Sequence, residues 1–141
     1  MSELLQQLSD PAKSGVYRTL LGDDILDALR GSSIALARID MAGGAGKEAL
    51  LARMAQALSF PQWFGGNWDA LEEALADLAW SGAPGCVVLF EGAEGLPDAD
   101  RTELCQVLSG AAQAWKERRR PFFAVFVNGP PALPELAKSG K

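Results

Sequence analysis

The pattern of apolar and polar residues predicts four short strands separated by helices. Strands are expected at residues 15–20, 33–39, 85–90 and 122–127, and helices at 23–30, 47–58, 67–79 and 98–118. Residues 1–13 form a weaker helical pattern or an ordered tail. Because strands joined by helices normally pair in parallel, the chain is expected to adopt a layered α/β fold.

The clearest helical pattern is that of residues 67–79. Its apolar residues recur at spacings that place them on one side of a helix, at Trp68, Leu71, Leu75 and Leu78. Its acidic residues are expected on the opposite side, and they are Asp69, Glu72, Glu73 and Asp77. Asn67 is a favourable N-cap, and carboxylates in the first turn suit the positive end of the helix dipole. The sequence therefore predicts a helix with an almost wholly negative outer face.

An aromatic loop at residues 60–66 precedes this helix. If Gly65 turns the chain, Trp63 and Phe64 cannot both point into the core, so at least one of them is expected to be half exposed. An exposed aromatic residue beside acids is typical of a protein-binding hot spot. The alternative for Trp63 is a core contact that holds the loop against the helix, and Trp68 is assigned to the core.

These residues resemble the signature of the barstar family, the intracellular inhibitors of the ribonuclease barnase. The residues that carry the resemblance are Pro61, Trp63, Phe64, Gly65, Asn67, Asp69, Ala70 and Leu71. The similarity extends over residues 33–127. It implies a barstar-like α/β fold, with a small three-stranded parallel sheet on which helices pack. Residues 1–32 are then an N-terminal extension at an edge of the same globule, and residues 128–141 are a C-terminal tail.

The resemblance also implies how the chain acts: the loop and the acidic helix enter the active site of a ribonuclease, where carboxylates replace RNA phosphate. Asp69 matches the first key aspartate of the family, and Glu73 occupies the place of the dominant acid, which is normally Asp. Trp63 replaces a tyrosine that packs on the enzyme, and Gly65 matches the turn glycine. The complete predicted partner-binding set is Trp63, Phe64, Gly65, Gly66, Asn67, Asp69, Glu72, Glu73 and Asp77.

Three departures from the family pattern imply that the target enzyme differs from barnase. The side chain of Glu73 is one methylene longer than that of Asp. Glu72 stands where the family has a tryptophan, and Gly66 stands where it has an acid. A further acidic contact of the family aligns with either Glu91 or Glu94.

The sequence offers no catalytic machinery and no cofactor site. It contains no histidine, which removes the commonest general base and the usual partner of a nucleophilic serine or cysteine. The glycine-rich segment 43–48 is not a phosphate-binding loop, because Met41 and Glu48 occupy the positions of its first glycine and its Ser/Thr. We therefore expect a protein that is not an enzyme, with no catalytic residues, no metal and no cofactor.

The distribution of charge favours a basic protein as the partner. The net charge is −5, and residues 67–103 contain nine acids and one base, Arg101. Such a surface repels nucleic acid and attracts basic proteins. The basic segment 116–120 is assigned to the end of the long helix, where cations complement the dipole.

The expected location is the cytoplasm. No apolar run is long enough to span a membrane, the first residues do not form a secretory signal, and Cys86 and Cys105 read as small buried thiols. No membrane or nucleic-acid partner is therefore expected.

Three functional hypotheses remain. The first is a cytoplasmic, immunity-type inhibitor of a ribonuclease. The second is an interaction module of barstar fold with a non-nuclease partner, whose interface could be the N-terminal extension. The third is a small enzyme or metal-binding protein that uses the acidic cluster. The target nuclease, its affinity and the oligomeric state are left open.

Overall fold

A computed structural model describes residues 3–20, 22–41, 46–59, 67–80 and 84–136. The helices are α1 (Glu3–Leu8), α2 (Gly22–Leu29), α3 (Lys47–Ala57), α4 (Trp68–Trp80) and α5 (Asp98–Glu117). The strands are β1 (Gly15–Thr19), β2 (Ala35–Asp40), β3 (Cys86–Glu91) and β4 (Phe122–Val127). Short 3₁₀ turns lie at Pro11–Lys13 and Ala93–Gly95. The layered α/β fold predicted from the sequence is confirmed.

The sheet has four strands rather than the three that the family resemblance implied. Its order is β1-β4-β3-β2, and all three neighbouring pairs are parallel. The expected count of three came from the family resemblance, which starts after β1. Without β1, one edge of β4 would be unpaired. In the structure, β1 pairs with that edge along five residues, from Gly15 opposite Phe123 to Thr19 opposite Val127. The N-terminal segment is therefore an integral part of the sheet.

Helices cover both faces of the sheet. On one face, α3, α4 and α5 pack against Val88, Phe90, Ala124 and Phe126. On the other face, α1 and α2 pack against Val87, Leu89, Phe123 and Val125. Because β3 and β4 are buried on both faces, their sequences are nearly continuous apolar runs rather than alternating ones.

The chain also covers the outer edge of β1, through residues 134–136. Arg18 N–H donates to Pro134 O, and Leu136 N–H donates to Arg18 O, both at 2.9 Å. Arg18 and Glu135 thus form a single parallel bridge. Leu136 is buried among α1 and α2 side chains, so the bridge also contributes to the core.

The basic segment 116–120 lies at the C-terminal end of α5, as the sequence predicted. The helix ends at Glu117, and the N–H groups of Arg118 and Arg120 both donate to Trp115 O. Arg119 adopts a φ of 60°, in the left-handed region that ends many helices. The prediction that these cations lie at a helix C-terminus is confirmed.

Both cysteines are free thiols. Cys86 is buried in the sheet and Cys105 is half-buried on α5. Burial raises the pKa of Cys86 to about 12. Burial also raises the pKa of Cys105, against the opposing charge of Arg101. In the described residues, no helix has the length and apolar character needed to cross a membrane.

Candidate partner-binding surface

The start of α4 is fixed by Asn67. Its side-chain Oδ1 accepts a hydrogen bond from the N–H of Ala70 at 2.7 Å, and its carbonyl accepts from Leu71 N–H at 2.9 Å. This arrangement satisfies one of the N–H groups that the first turn of a helix leaves unpaired. The N-cap predicted from the sequence is confirmed, and it sets the direction in which the following acids project.

The apolar side of α4 enters the core. Leu71, Ala74 and Leu75 are buried, whereas Trp68 is half-buried and packs at the margin of the same cluster. Asp69 and Glu73 lie one turn apart on the side that faces directly away from Leu71 and Leu75. The prediction of an apolar inner side is therefore confirmed for the residues whose side chains the structure describes.

All four predicted acids of α4 are exposed: Asp69, Glu72, Glu73 and Asp77. Among the described residues, the ion pairs join other side chains and leave these four carboxylates without a cation. Unpaired carboxylates on a rigid helix are available to a cationic partner without first breaking an internal ion pair.

Two contacts hold α4 in place. The indole Nε1–H of Trp115, on α5, donates to Leu75 O at 2.9 Å, and Trp115 is fully buried. On the other side, the ammonium of Lys47, on α3, lies 5.4 Å from the centre of the Trp68 ring, which is a cation–π distance. Helix α4 is thus fixed between its two neighbours.

Glu72 does not share the direction of Asp69 and Glu73. It approaches α5, where a Cβ at Gly110 would lie only 2.8 Å from its Oε2. The helical pattern grouped the four acids on one face, and nothing in that pattern indicates this approach, because it depends on a glycine 38 residues later. The acidic face is therefore wider than the sequence suggested, and it reaches the neighbouring helix.

Four predicted site residues, Trp63, Phe64, Gly65 and Gly66, lie outside the residues that the structure describes. The predicted hot spot of the aromatic loop therefore stays a prediction.

Glu91 and Glu94, the two candidates for the further acidic contact of the family, lie in different places. Glu91 ends β3 with its side chain on the α2 face, opposite to α4, and accepts hydrogen bonds from Arg38 Nη2 at 2.8 Å and Nε at 3.0 Å. Glu94 is exposed on the 3₁₀ turn that leads to α5. The direction of Glu91 could have been predicted from the sequence, because side chains alternate between the two faces of a strand. Phe90 belongs to the cluster that α4 joins, so Glu91 faces the opposite side of the sheet.

This surface can interact with a partner through its charges and through apolar contacts. Within the described part of the chain, no three His, Cys, Asp or Glu residues are grouped as ligands for a metal ion. The surface consists of exposed carboxylates on a fixed helix, and it can bind cations of a partner.

Comparison with known proteins decides the family. The sequence model of the family described as barstar (barnase inhibitor) matches residues 34–127, which is most of the chain. The chain belongs to the barstar family. Within this barstar-family protein, the match runs from the start of β2 to the end of β4 and therefore includes α4 and its acids.

A search of curated proteins found no match. Among solved structures, this barstar-family chain is similar to the crystal structure of Cdc6p from Pyrobaculum aerophilum, with a TM-score of 0.55 and 16% sequence identity. The similarity covers 86% of this chain but only 37% of the Cdc6p chain. At this identity the likeness supports the α/β fold alone.

Proposed function

We propose that this barstar-family protein is a cytoplasmic inhibitor that binds a basic ribonuclease and blocks its active site with α4. It acts by binding alone, without catalysis, metal or cofactor. The observation that carries the proposal is the pair Asp69 and Glu73, two exposed carboxylates that face away from the core on a fixed helix and form no ion pair with the residues that the structure describes. The family of barnase inhibitors matches this same segment.

The physical basis is electrostatic mimicry of the substrate. A ribonuclease holds RNA phosphates with arginine and lysine, and carboxylates form charge-assisted hydrogen bonds with the same groups. Because Trp115 and Lys47 fix α4, little backbone conformational entropy is lost when the carboxylates dock. The net charge of −5 also attracts a basic enzyme from a distance.

The test is a titration of a secreted guanyl-specific bacterial ribonuclease with the full chain, at low and at high salt. We expect stoichiometric inhibition that weakens as salt increases. Glu73→Ala should weaken inhibition about a hundredfold, the order expected for a lost hydrogen bond between charged groups. The melting temperature should stay close to that of the wild-type protein, because Glu73 is exposed.

Asp23→Ala is the matched control. Asp23 is an exposed acid on α2, on the other face of the sheet, so its loss changes net charge by the same amount without altering α4. Unchanged inhibition by the Glu73→Ala protein would exclude α4 as the inhibitory surface.

The second candidate function is the binding of a basic partner other than a ribonuclease by this same surface. It is favoured by Glu72, which stands where the resemblance places a tryptophan and lies against α5. If the wild-type chain does not inhibit the ribonuclease, capture of partners from the native cell, with Glu73→Ala as the comparison, would test this alternative. A basic protein retained by the wild-type chain and lost by Glu73→Ala would support it.

A further inference from the structure

Strand β2 forms one edge of the sheet, and part of its backbone is accessible to a further strand. The sheet order ends at β2, which pairs with β3 on one side only. The N–H groups of Ala35 and Met41 donate to carbonyls of the neighbouring segment 85–91, at 3.0 and 2.7 Å. Because backbone groups alternate in direction along a strand, the odd-numbered residues of β2 face β3. Leu36, Arg38 and Asp40 therefore direct their N–H and C=O groups outward.

The two edges of the sheet differ in how they are covered. At the edge of β1, residues 134–136 take two outward backbone groups of the strand. At the edge of β2, none of the hydrogen bonds among the described residues reaches the outward groups of Leu36 and Arg38. Asp40 O accepts a hydrogen bond from Arg53 Nη1 at 2.6 Å, and a carbonyl oxygen can accept a second one. Such an edge is a template for another strand.

A groove of about 430 Å³ keeps this edge accessible. It lies between β2 and α3 and is lined by Arg38, Asp40, Arg53, Gln56 and Ala57. Arg38 and Asp40 are exposed. Since side chains alternate along a strand and Ile39 belongs to the cluster that α4 joins, both of these charged side chains lie on the opposite, α2 face of the sheet. The edge of β2 is thus separate from the acidic surface of α4.

The charges of β2 are complementary to those of a second copy of the same strand. Arg38 donates from Nε and Nη2 to Glu91 Oε1, at 3.0 and 2.8 Å, and its Nη1 forms none of the hydrogen bonds among the described residues. The guanidinium is therefore held at the edge with donors left for a second carboxylate. Asp40, two residues along the same face, presents a carboxylate of the required charge.

We propose that the β2 strands of two copies pair antiparallel about a two-fold axis at Ile39, which joins two four-stranded sheets into one. Residues that exchange backbone hydrogen bonds must come from the outward-directed positions. A register centred on Arg38 would place that arginine opposite its own copy. The register centred on Ile39 places Arg38 opposite Asp40 of the second copy, and the symmetry repeats the pair. Opposite charges across an antiparallel pair are stabilising, whereas like charges are destabilising.

This contact is small, so the dimer is weak. Interfaces at the small end of the range belong to transient complexes. We expect a dissociation constant of about 1 mM, which leaves the chain monomeric at micromolar concentrations. The inference goes beyond the proposed function and does not depend on it, because self-association is measured without a ribonuclease.

The first experiment reverses the charges one at a time and measures sedimentation equilibrium at about 1 mM chain. Arg38→Asp makes both charged positions of β2 acidic, and Asp40→Arg makes both basic. The wild-type chain should dimerise, and each variant alone should be monomeric because like charges then face each other. An equimolar mixture of the two variants should dimerise again, since every facing pair is then of opposite charge. A monomeric wild-type chain or a monomeric mixture would overturn the inference, and the first result would leave the edge for a strand of another protein.

Arg30→Asp is the matched control. Arg30 is exposed just after α2 and forms a surface ion pair with Asp27 at 3.2 Å. Its substitution changes net charge by the same amount as Arg38→Asp and also breaks an ion pair, but it lies outside β2. The Arg30→Asp chain should dimerise like the wild-type chain. An equal loss of dimer in both variants would show that net charge controls the association, which would overturn the inference.

The second experiment follows the backbone of the edge by hydrogen exchange, measured by NMR at about 0.05 and about 1 mM chain. The outward N–H of Arg38 should exchange about twofold more slowly at the higher concentration, because half of the chains are paired when the concentration equals the dissociation constant. The N–H of Ala37 faces β3 and should not respond to concentration. In Asp40→Arg, the rate at Arg38 should be the same at both concentrations. A rate at Arg38 that does not depend on concentration in the wild-type chain would overturn the inference.

Discussion

Trp115 links the core to the candidate binding surface through a single buried hydrogen bond. Its indole N–H reaches Leu75 O, in the middle of α4. Trp115→Phe keeps an aromatic ring but removes this donor and part of the volume. We expect a loss of about 1–2 kcal/mol in the free energy of unfolding, measured by urea denaturation. Because α4 would then be less firmly held, binding of the partner should also weaken.

Gln113→Ala is the comparison for that substitution, since Gln113 is exposed on the same helix. It should leave the free energy of unfolding within about 0.5 kcal/mol of the wild-type value. Equal stability of the Trp115→Phe and Gln113→Ala proteins would mean that the hydrogen bond does not hold α4.

At the scale of single residues, some features of the site can be predicted from the sequence and others cannot. The cap by Asn67 and the outward direction of Asp69 and Glu73 depend on residues a few positions apart, so periodicity predicts them. The approach of Glu72 to Gly110 and the hydrogen bond of Trp115 to Leu75 join residues about forty positions apart. Such contacts depend on how helices pack, and no local pattern specifies them.

At the scale of elements, the C-terminal segment protects the edge of β1. Exposed edges pair with other chains, and here residues 134–136 take two of the free backbone groups of Arg18. Deleting residues 130–141 removes these hydrogen bonds and the burial of Leu136, a side chain that contributes about 1.5–3 kcal/mol. We expect a lower free energy of unfolding and self-association, measured by urea denaturation and sedimentation.

Deletion of residues 137–141 is the control, because it keeps the bridge between Arg18 and Glu135. The two truncated chains should differ clearly in both measurements. If the longer deletion gives a monomer of wild-type stability, the segment does not protect the edge.

The elements also differ in how well the sequence predicts them. Strands β3 and β4 are apolar except for Glu91 at the end of β3, and their place in the centre of the sheet follows from that pattern. The bridge at Glu135 was missed because Pro130, Pro131 and Pro134 argue against a strand. Proline is tolerated here because only the carbonyl of Pro134 takes part, as the acceptor from Arg18.

For the whole molecule, the N-terminal segment decides whether the sheet has one covered face or two. Leu4, Leu8, Ile25 and Leu29 are buried against Val87, Leu89, Phe123 and Val125. This packing bears on the hypothesis that the N-terminal extension, which includes residues 1–13, is the interface, because Leu4 and Leu8 belong to the core. Deleting those residues would change folding and binding together, so a surface substitution at exposed Gln6, such as Gln6→Arg, is the cleaner test of that interface.

A chain that begins at residue 33 should therefore fail to fold cooperatively, although the family match lies entirely within it. The four large buried side chains of α1 and α2 contribute about 1.5–3 kcal/mol each, and their sum is comparable with the total stability of a typical domain, about 5–15 kcal/mol. The deletion also leaves the apolar α2 face of the sheet uncovered and the edge of β4 unpaired. We expect urea denaturation without a cooperative transition, together with strong binding of a hydrophobic dye. A cooperative transition with wild-type inhibition would show instead that the family core folds alone and that β1, α1 and α2 are additions to a self-sufficient unit.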